Sequence, residues 1–436
     1  MAWSYDEARA FLAARIAPGA RAGERRDGAV ARMRALCAAL GDPQRAYPAI
    51  HVTGTNGKGS VTRLVSGLLA EEGLVVGTCT SPDLGRPNER MAVGLDPVDD
   101  AGFARVVEKV AGADRATGAG ATYVELLQAA AFAWFAERAV DVAVVEVLRG
   151  GRRDATNVVD AVVVAVTNVG TDHAEVIGPT RADIAYEKAG VVKRGTTRVL
   201  VLGETDHQLA AVFERERPAQ TWRRGREFSC PRNELAPGAG RLLDLVTPAA
   251  SYEAVRLSLH GPHQGDNASV ALAAAEAFVG RAIGDTEVRR AFGRATHAGR
   301  FEVVRASPLV VLDGAHDAGA ARAAAATLSE IAPGAPVVLV VGMLEPHDPA
   351  EMLGALGAAR ARAVVATAPE SVRAVPADLV AAAARSLGAE VVAVGPVDAA
   401  VARAVALAGS EGAVLVTGSL YIVSEARRAA PYDDRP

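Results

Sequence analysis

The sequence predicts an α/β protein of two domains, the first built on a mainly parallel sheet and the second, smaller one on a doubly wound sheet. Three observations predict it. From Tyr47 onward, short valine-rich apolar runs alternate with amphipathic helical stretches, which is the rhythm of strand–helix–strand units. The runs 142–147 and 161–167 are apolar almost throughout, as strands covered on both faces are. The chain has 436 residues, too many for one typical domain, and the alternation restarts after residue 300. The division is expected at 1–295 and 296–436, with the junction at 294–300.

In chain order, residues 5–40 read as helices interrupted by the glycine- and arginine-rich stretch 19–28. A strand at 50–52 runs into the glycine loop 54–59. The next helix carries Val61, Leu64, Val65, Leu68 and Leu69 on one face, the spacing of a buried stripe, and Gly73 ends it. Strands at 74–80, 142–147 and 161–167 follow. Thr180 and Asp183 form a capping box that opens a helix, Gly190 closes it, and Lys188 falls in its last turn. Residues 212–241 are polar and arginine-rich, and a helix is expected near 267–278. Strands at 309–313, 336–342, 363–367, 391–394 and 413–417 then alternate with alanine-rich helices, which places helices on both faces of the second sheet. No internal repeat or low-complexity linker is visible.

The net charge of −4 provides no basic surface for nucleic acid or an anionic membrane. Cys37, Cys79 and Cys230 are odd in number and widely spaced, which argues against a disulfide framework and fits a reducing compartment. Asp6 and Glu7 stand where a secretory signal carries basic residues, and no apolar run reaches the roughly 18 residues of a membrane helix. A soluble, cytoplasmic monomer is the expectation.

One segment carries chemistry by its form. In His51-Val-Thr-Gly-Thr-Asn-Gly-Lys-Gly-Ser60, Gly54, Thr55, Asn56, Gly57 and Gly59 let backbone N–H groups approach phosphate oxygens. Lys58 would pair with the β- and γ-phosphates, and Ser60 would reach Mg2+ at a helix N-terminus. Gly59 separates lysine from serine, so the generic nucleotide loop does not fit, and an unrelated nucleotide hydrolase stays open on this motif alone. Lysine is scarce: Lys58, Lys109, Lys188 and Lys193 are all there are. A lysine kept where arginine is otherwise used is a candidate for work a guanidinium cannot do.

Further segments join this loop: Thr80-Ser-Pro82, Glu89-Arg90, Asp154-Ala-Thr-Asn157, Asp172-His173, Glu187-Lys-Ala-Gly190, His263-Gln264, Asn267-Ala268, Gly299-Arg300, Asp313-Gly-Ala-His316 and Thr417-Gly-Ser-Leu420. In this order they resemble the Mur ligase superfamily, and within it folylpolyglutamate synthase and dihydrofolate synthase, over nearly the whole chain. The resemblance implies an N-terminal P-loop ATPase domain and a Rossmann-like C-terminal domain. It implies ATP and two Mg2+ sites, one on Ser60, Ser81 and Glu146, the other on His173 and a carbamylated Lys188, and it leaves room for K+. Asn267, Arg300 and Asp313 would contact ATP, with Arg300 reaching in from the junction. His316 would hold phosphate or the incoming amino acid, with Ser419 on the amino-acid side. Asp83, Arg90, Arg149, Arg152, Arg153, Asp154 and Asp317 would meet the substrates. The implied reaction joins L-glutamate to dihydropteroate or a reduced folate through an acyl phosphate, in folate biosynthesis and one-carbon metabolism.

The sequence departs from the family's pattern where substrates bind. Asp317 replaces an asparagine, Asp83 a histidine, and Leu148, Arg149 and Arg153 alter a glycine-rich run. Glu345-Pro-His-Asp348 replaces Asp-Lys-Asp, and Ala298 a proline. Two alternatives therefore stand beside the folate ligase: a paralogue joining another acid and amine, and a nucleotide-binding protein without catalysis.

Overall fold

The computed structural model describes residues 2–16, 28–171, 177–238 and 240–429. The chain packs as two units. The first comprises Met1–Asn233, Leu242–Leu257 and Gln264–Ala295, the second Glu234–Arg241, Ser258–His263 and Thr296–Pro436.

The first unit begins with α1 (Tyr5–Ala13) and α2 (Ala29–Ala39), followed by β1 (Ala49–Thr53), α3 (Lys58–Glu71) and β2 (Val76–Cys79). Then come β3 (Met91–Val93), β4 (Asp96–Pro97), α4 (Asp100–Thr117), α5 (Tyr123–Glu137), β5 (Val142–Glu146), β6 (Val163–Val166), α6 (Arg181–Ala189), β7 (Val199–Leu202), α7 (His207–Glu214) and β8 (Gln220–Arg223). The sheet is ordered β4-β3-β2-β5-β1-β6-β7-β8. It is parallel from β2 to β8, and β3 and β4 run antiparallel at the edge. β1, β5 and β6 are buried at every residue, which is why their sequences read as unbroken apolar runs. α4 and α5 cover one face with Phe103, Phe132 and Phe135. The Phe135 ring lies 2.7 Å from where a Cβ would stand on Gly77, so only glycine fits there. A three-stranded sheet ordered β11-β10-β9 follows, from β9 (Ser229–Leu235), β10 (Arg241–Val246) and β11 (Ser251–Leu257), and then α8 (His263–Val279) and α9 (Asp285–Gly293).

The second unit contains β12 (Glu302–Ala306), β13 (Leu309–Leu312), α10 (Ala318–Ile331), β14 (Val337–Val341), α11 (Pro349–Leu356), β15 (Ala363–Ala366), α12 (Ala377–Ser386), β16 (Val391–Ala393), α13 (Val397–Ala408), β17 (Ala413–Thr417) and α14 (Leu420–Ala429). Its sheet runs β12-β13-β17-β14-β15-β16 and is parallel except for β12. Val311, Leu339, Val341, Val364 and Leu415 pack with Leu328, Leu353 and Val380 of α10 to α12. The alternate strand residues face the other side, where α13 lies against β14 and β17. This is the doubly wound arrangement expected.

The strands expected at 74–80 and 161–167 shorten to β2 and β6, and the polar stretch 212–241 contains β8, β9 and the start of β10. β3, β4, α4, α5, β7, α7, β11 and β12 were not anticipated. Among the described residues no helix is long and apolar enough to cross a membrane.

Candidate active site

β1 lies between β5 and β6, so the loop leaving its carboxyl end emerges at the middle of the sheet, where open parallel sheets hold ligands. Gly54 has φ +145° and Gly57 φ +81°. A Cβ on Gly54 would lie 1.8 Å from Thr167 Oγ1, and one on Gly57 2.3 Å from Asn267 Oδ1. Both glycines thus answer to the backbone and to a close neighbour. The loop is pinned by Thr167 Oγ1 donating to Asn56 O at 2.6 Å, Asn168 Oδ1 accepting from Asn56 N at 3.0 Å, and Thr55 Oγ1 accepting from Gly170 N at 2.8 Å. Lys58 Nζ folds back to Thr55 O at 2.9 Å. Ser60 is buried in the first turn of α3, which holds no acidic residue, so the positive end of that helix is kept for anions.

Two other segments meet this loop. Lys188 is buried near the end of α6 and donates from Nζ to Gly54 O at 2.6 Å. Its helix opens with the expected capping box, Thr180 and Asp183 each bonding the other's backbone N–H. Gly190 closes the helix as expected, but from the right-handed region at φ −62°, so a left-handed cap is not its reason. Glycine is required there because Arg152 Cβ and Cα would lie 2.3 and 2.5 Å from its Cβ. Gly190→Ala is expected to lose about 2 kcal/mol by overpacking against immovable backbone; an unchanged urea midpoint would refute the close approach. On α8, Asn267 lies over Gly57 and donates from Nδ2 to Gln264 Oε1 at 2.9 Å.

Glu146 ends β5, is 4% exposed, and accepts from Ser81 N at 2.9 Å. Asp83 accepts from Arg90 Nε at 2.6 Å, and the Arg90 guanidinium lies 5.6 Å from the Tyr123 ring centroid. In the stretch after Glu146, Thr53 Oγ1 donates to Gly150 O at 2.9 Å. Asp154 Oδ2 accepts from Arg149 N at 2.8 Å. Arg152 pairs with Glu216 and lies over the Tyr186 ring, while Arg153 N donates to Glu187 Oε1 at 2.9 Å. Lys193 gathers the carbonyls of Asn157 and Val159 with Asp160, and Lys109 pairs with Glu137 on the exposed surface. Two of the four lysines therefore stand at the phosphate loop. His173 lies outside the described residues.

In the second unit, Asp313 accepts from Phe301 N at 2.8 Å and Ala315 N at 2.9 Å, and the Arg300 guanidinium lies beside Gly314. His316 donates from Nδ1 to Gly314 O at 3.2 Å, so a neutral ring presents Nε2 as an acceptor. Its ring meets that of His347 at 5.4 Å. Asp317 caps α10 through Ala320 N at 2.8 Å. Ser419 is buried and donates to Gly342 O at 3.0 Å.

Sequence reasoning missed Thr167 and Asn168, and it quoted Gln264 in a motif without giving it a role. The available signal for the first two was position, since they directly follow a strand that pairs with β1. Among the described residues no three His, Cys, Asp or Glu side chains converge as a metal cage. Ser60 and Glu146 nevertheless supply the oxygen donors that suit hard Mg2+, which completes its shell with phosphates and water. The bare Lys188 amine donates a hydrogen bond, and would suit a cation only as a carbamate.

Comparison with known proteins agrees with this geometry. Residues 52–275 match the Mur ligase middle domain, and residues 299–420 the Mur ligase, glutamate ligase domain. The dihydrofolate synthase/folylpolyglutamate synthase of Mycobacterium tuberculosis is 39% identical over 325 residues, which cover 70% of this chain and 66% of that protein. The structure of Mycobacterium tuberculosis folylpolyglutamate synthase complexed with ADP is similar with a TM-score of 0.90 at 32% identity, over 99% of both chains. A bifunctional folylpolyglutamate synthase/dihydrofolate synthase from Yersinia pestis, complexed with AMPPNP and a Mn ion, has a TM-score of 0.84 at 27% identity over 98% of each chain. With a phosphate loop, its two lysines and a buried carboxylate at the ends of neighbouring strands, the chain belongs to the Mur ligase family, on the dihydrofolate synthase/folylpolyglutamate synthase branch, and is an ATP-dependent ligase.

Proposed function

We propose that this ligase joins L-glutamate to dihydropteroate or a reduced folate, activating the acid as an acyl phosphate. The observation that carries the proposal is the meeting of Lys58 and Lys188 at one phosphate loop in a chain with only four lysines. The acid's carboxylate oxygen attacks the γ-phosphorus, the bond to the β,γ-bridging oxygen breaks, and ADP leaves. The glutamate nitrogen then attacks the acyl carbon, loses a proton, and phosphate departs with the carbon–oxygen bond. Lys58 and the loop amides hold the phosphate oxygens in place and oppose the charge that develops on them. Ser60, Ser81 and Glu146, with His173 and a carbamylated Lys188, would hold Mg2+, which neutralises phosphate charge when bound. Asn267, Arg300 and Asp313 are assigned to the nucleotide, and His316 to the phosphate or the incoming amine.

A second reading, a different acid with the same activation chemistry, is favoured by one observation. Arg90, Arg152 and Arg153, which the family resemblance assigns to the substrates, each already hold a carboxylate of the chain itself, on Asp83, Glu216 and Glu187. ADP release dependent on both L-glutamate and dihydropteroate or tetrahydrofolate is the expected result. ADP release that needs some other acid–amine pair would establish the second reading, and ATP binding with no acyl phosphate trapped by hydroxylamine would refute both.

A further inference from the structure

His51 opens the segment that carries the phosphate loop but lies in the strand beneath it. It sits on β1, two residues before the strand ends, and is fully buried. Its Nε2 meets Thr156 Oγ1 at 2.8 Å. Thr156 Oγ1 in turn meets Asp154 Oδ1 at 2.5 Å, and Thr156 N donates to the same oxygen at 2.9 Å. Asp154 Oδ2 accepts from Arg149 N at 2.8 Å. A chain of hydrogen bonds thus runs from the strand beneath the phosphate loop to the backbone that leaves Glu146.

Proton counting fixes its direction. Burial pushes the Asp154 carboxyl pKa up, but three donors, Thr156 Oγ1, Thr156 N and Arg149 N, point at its oxygens, so it serves as the acceptor. Thr156 has one hydroxyl proton and gives it to Asp154; it must then accept from His51, which puts the imidazole proton on Nε2. The remaining nitrogen, Nδ1, is buried and has no hydrogen-bond partner among the described residues. That fits, because a buried lone pair left unmade is tolerated more often than a buried orphan N–H, which the opposite tautomer would create. Burial, with the Lys193 charge adding to it, keeps the ring neutral, its pKa pushed down to about 3. The ring is therefore a fixed donor with one direction.

The loop it supports contacts the rest of the site. Gly151 packs against the Glu187 and Lys188 carbonyls so closely that a Cβ would lie 2.8 and 2.7 Å from them, and Arg152 N donates to Glu187 O at 2.7 Å. Asn157 Nδ2 bonds both Gly151 O and Gly190 O. We propose that His51 is a positioning residue for the ligase reaction: through Thr156 and Asp154 it sets the loop after Glu146, and with it Glu146 and Lys188, in register with the phosphate loop. The kinetic consequence rests on the ligase reading; the hydrogen-bond chain does not.

The test compares His51→Leu, His51→Gln, Thr156→Val, Thr156→Ser and the double variant His51→Leu/Thr156→Val. Turnover is read as ADP release with dihydropteroate, L-glutamate and MgATP. His51→Leu is expected to lower kcat about tenfold, the effect of one buried hydrogen bond, while KM for ATP moves less than about twofold. His51→Gln, which keeps an N–H near Nε2, and Thr156→Ser, which keeps the hydroxyl, should restore most of the rate. The double variant should lose little more than Thr156→Val alone, because both changes cut one chain. Nitrogen NMR of the histidine-labelled chain, with the His51 signals identified by their loss in His51→Gln, should show that ring protonated on Nε2 only. Unchanged kcat in His51→Leu, no rescue by glutamine, multiplicative losses, or a proton on Nδ1 would each overturn the proposal. Should His51→Leu fail to fold, the threonine variants and the tautomer still decide it. Should the wild-type chain release no ADP with any acid–amine pair, the ligase reading fails, and the tautomer together with the stability order of leucine below glutamine still tests the chain of hydrogen bonds.

Discussion

Lys58→Ala should lower kcat/KM for ADP formation about 10³-fold, and Lys58→Arg should recover little of it, since removal of one group aimed at developing transition-state charge costs about that much. The lysine begins α3, and its ammonium reaches Thr55 O from inside the loop's own curve. Phosphate oxygens entering the loop would meet a compact point charge with three donors. A guanidinium is planar, larger, and holds its donors in a fixed fork, so it does not fit a turn closed by Thr167 and Asn168 against Asn56. The arginine variant matters more than the alanine one in this chain, where arginine replaces lysine almost everywhere. ADP release measured beside melting temperature separates lost catalysis from lost fold. An arginine variant with native turnover would refute the role given to Lys58.

Lys188→Ala should be the second severe loss, about 10²-fold or more in kcat, for two separable reasons. Its ammonium is the donor that Gly54 O receives at 2.6 Å in a buried setting, and a buried carbonyl left without its donor costs about 1–3 kcal/mol. As a carbamate it would instead offer oxygen to a cation. The two roles differ in their response to CO2. If carbamylation carries the activity, turnover falls in CO2-depleted buffer and returns with bicarbonate, and Lys188→Gln stays inactive. A bicarbonate-independent rate together with an active Lys188→Gln would reduce Lys188 to a strut beneath Gly54.

The parts of this architecture legible from sequence are those whose cause is local. Valine runs at β5 and β6 announce strands buried on both faces, and Thr180 with Asp183 announces a helix start three residues wide. Where the cause is distant, reading failed. Tyr123–Glu137 is buried on nearly every side, so it has no polar face for periodicity to find. Ser229–Leu235 is polar and half-exposed, and no alternation marks it as a strand. β3 and β4 hold only three and two residues. Within the site, Lys58 is legible from the form of its loop, whereas Glu146 and Asn267 are legible only through the family resemblance. That Arg152 turns to Glu216 and Arg153 to Glu187, or that Gly190 is glycine because of Arg152, depends on chain packed together from tens of residues away. His51 illustrates the limit best: it reads as the start of a motif, and only its buried partners show what it does.

The central place of β1 has a further consequence. Ile50 to Val52 are paired with β5 on one side and β6 on the other, so their amide protons should exchange with solvent only when the whole unit opens. The seat for ATP is then ordered before any nucleotide arrives. The entropy of shaping it is lost once, during folding, and is not lost again at each binding event.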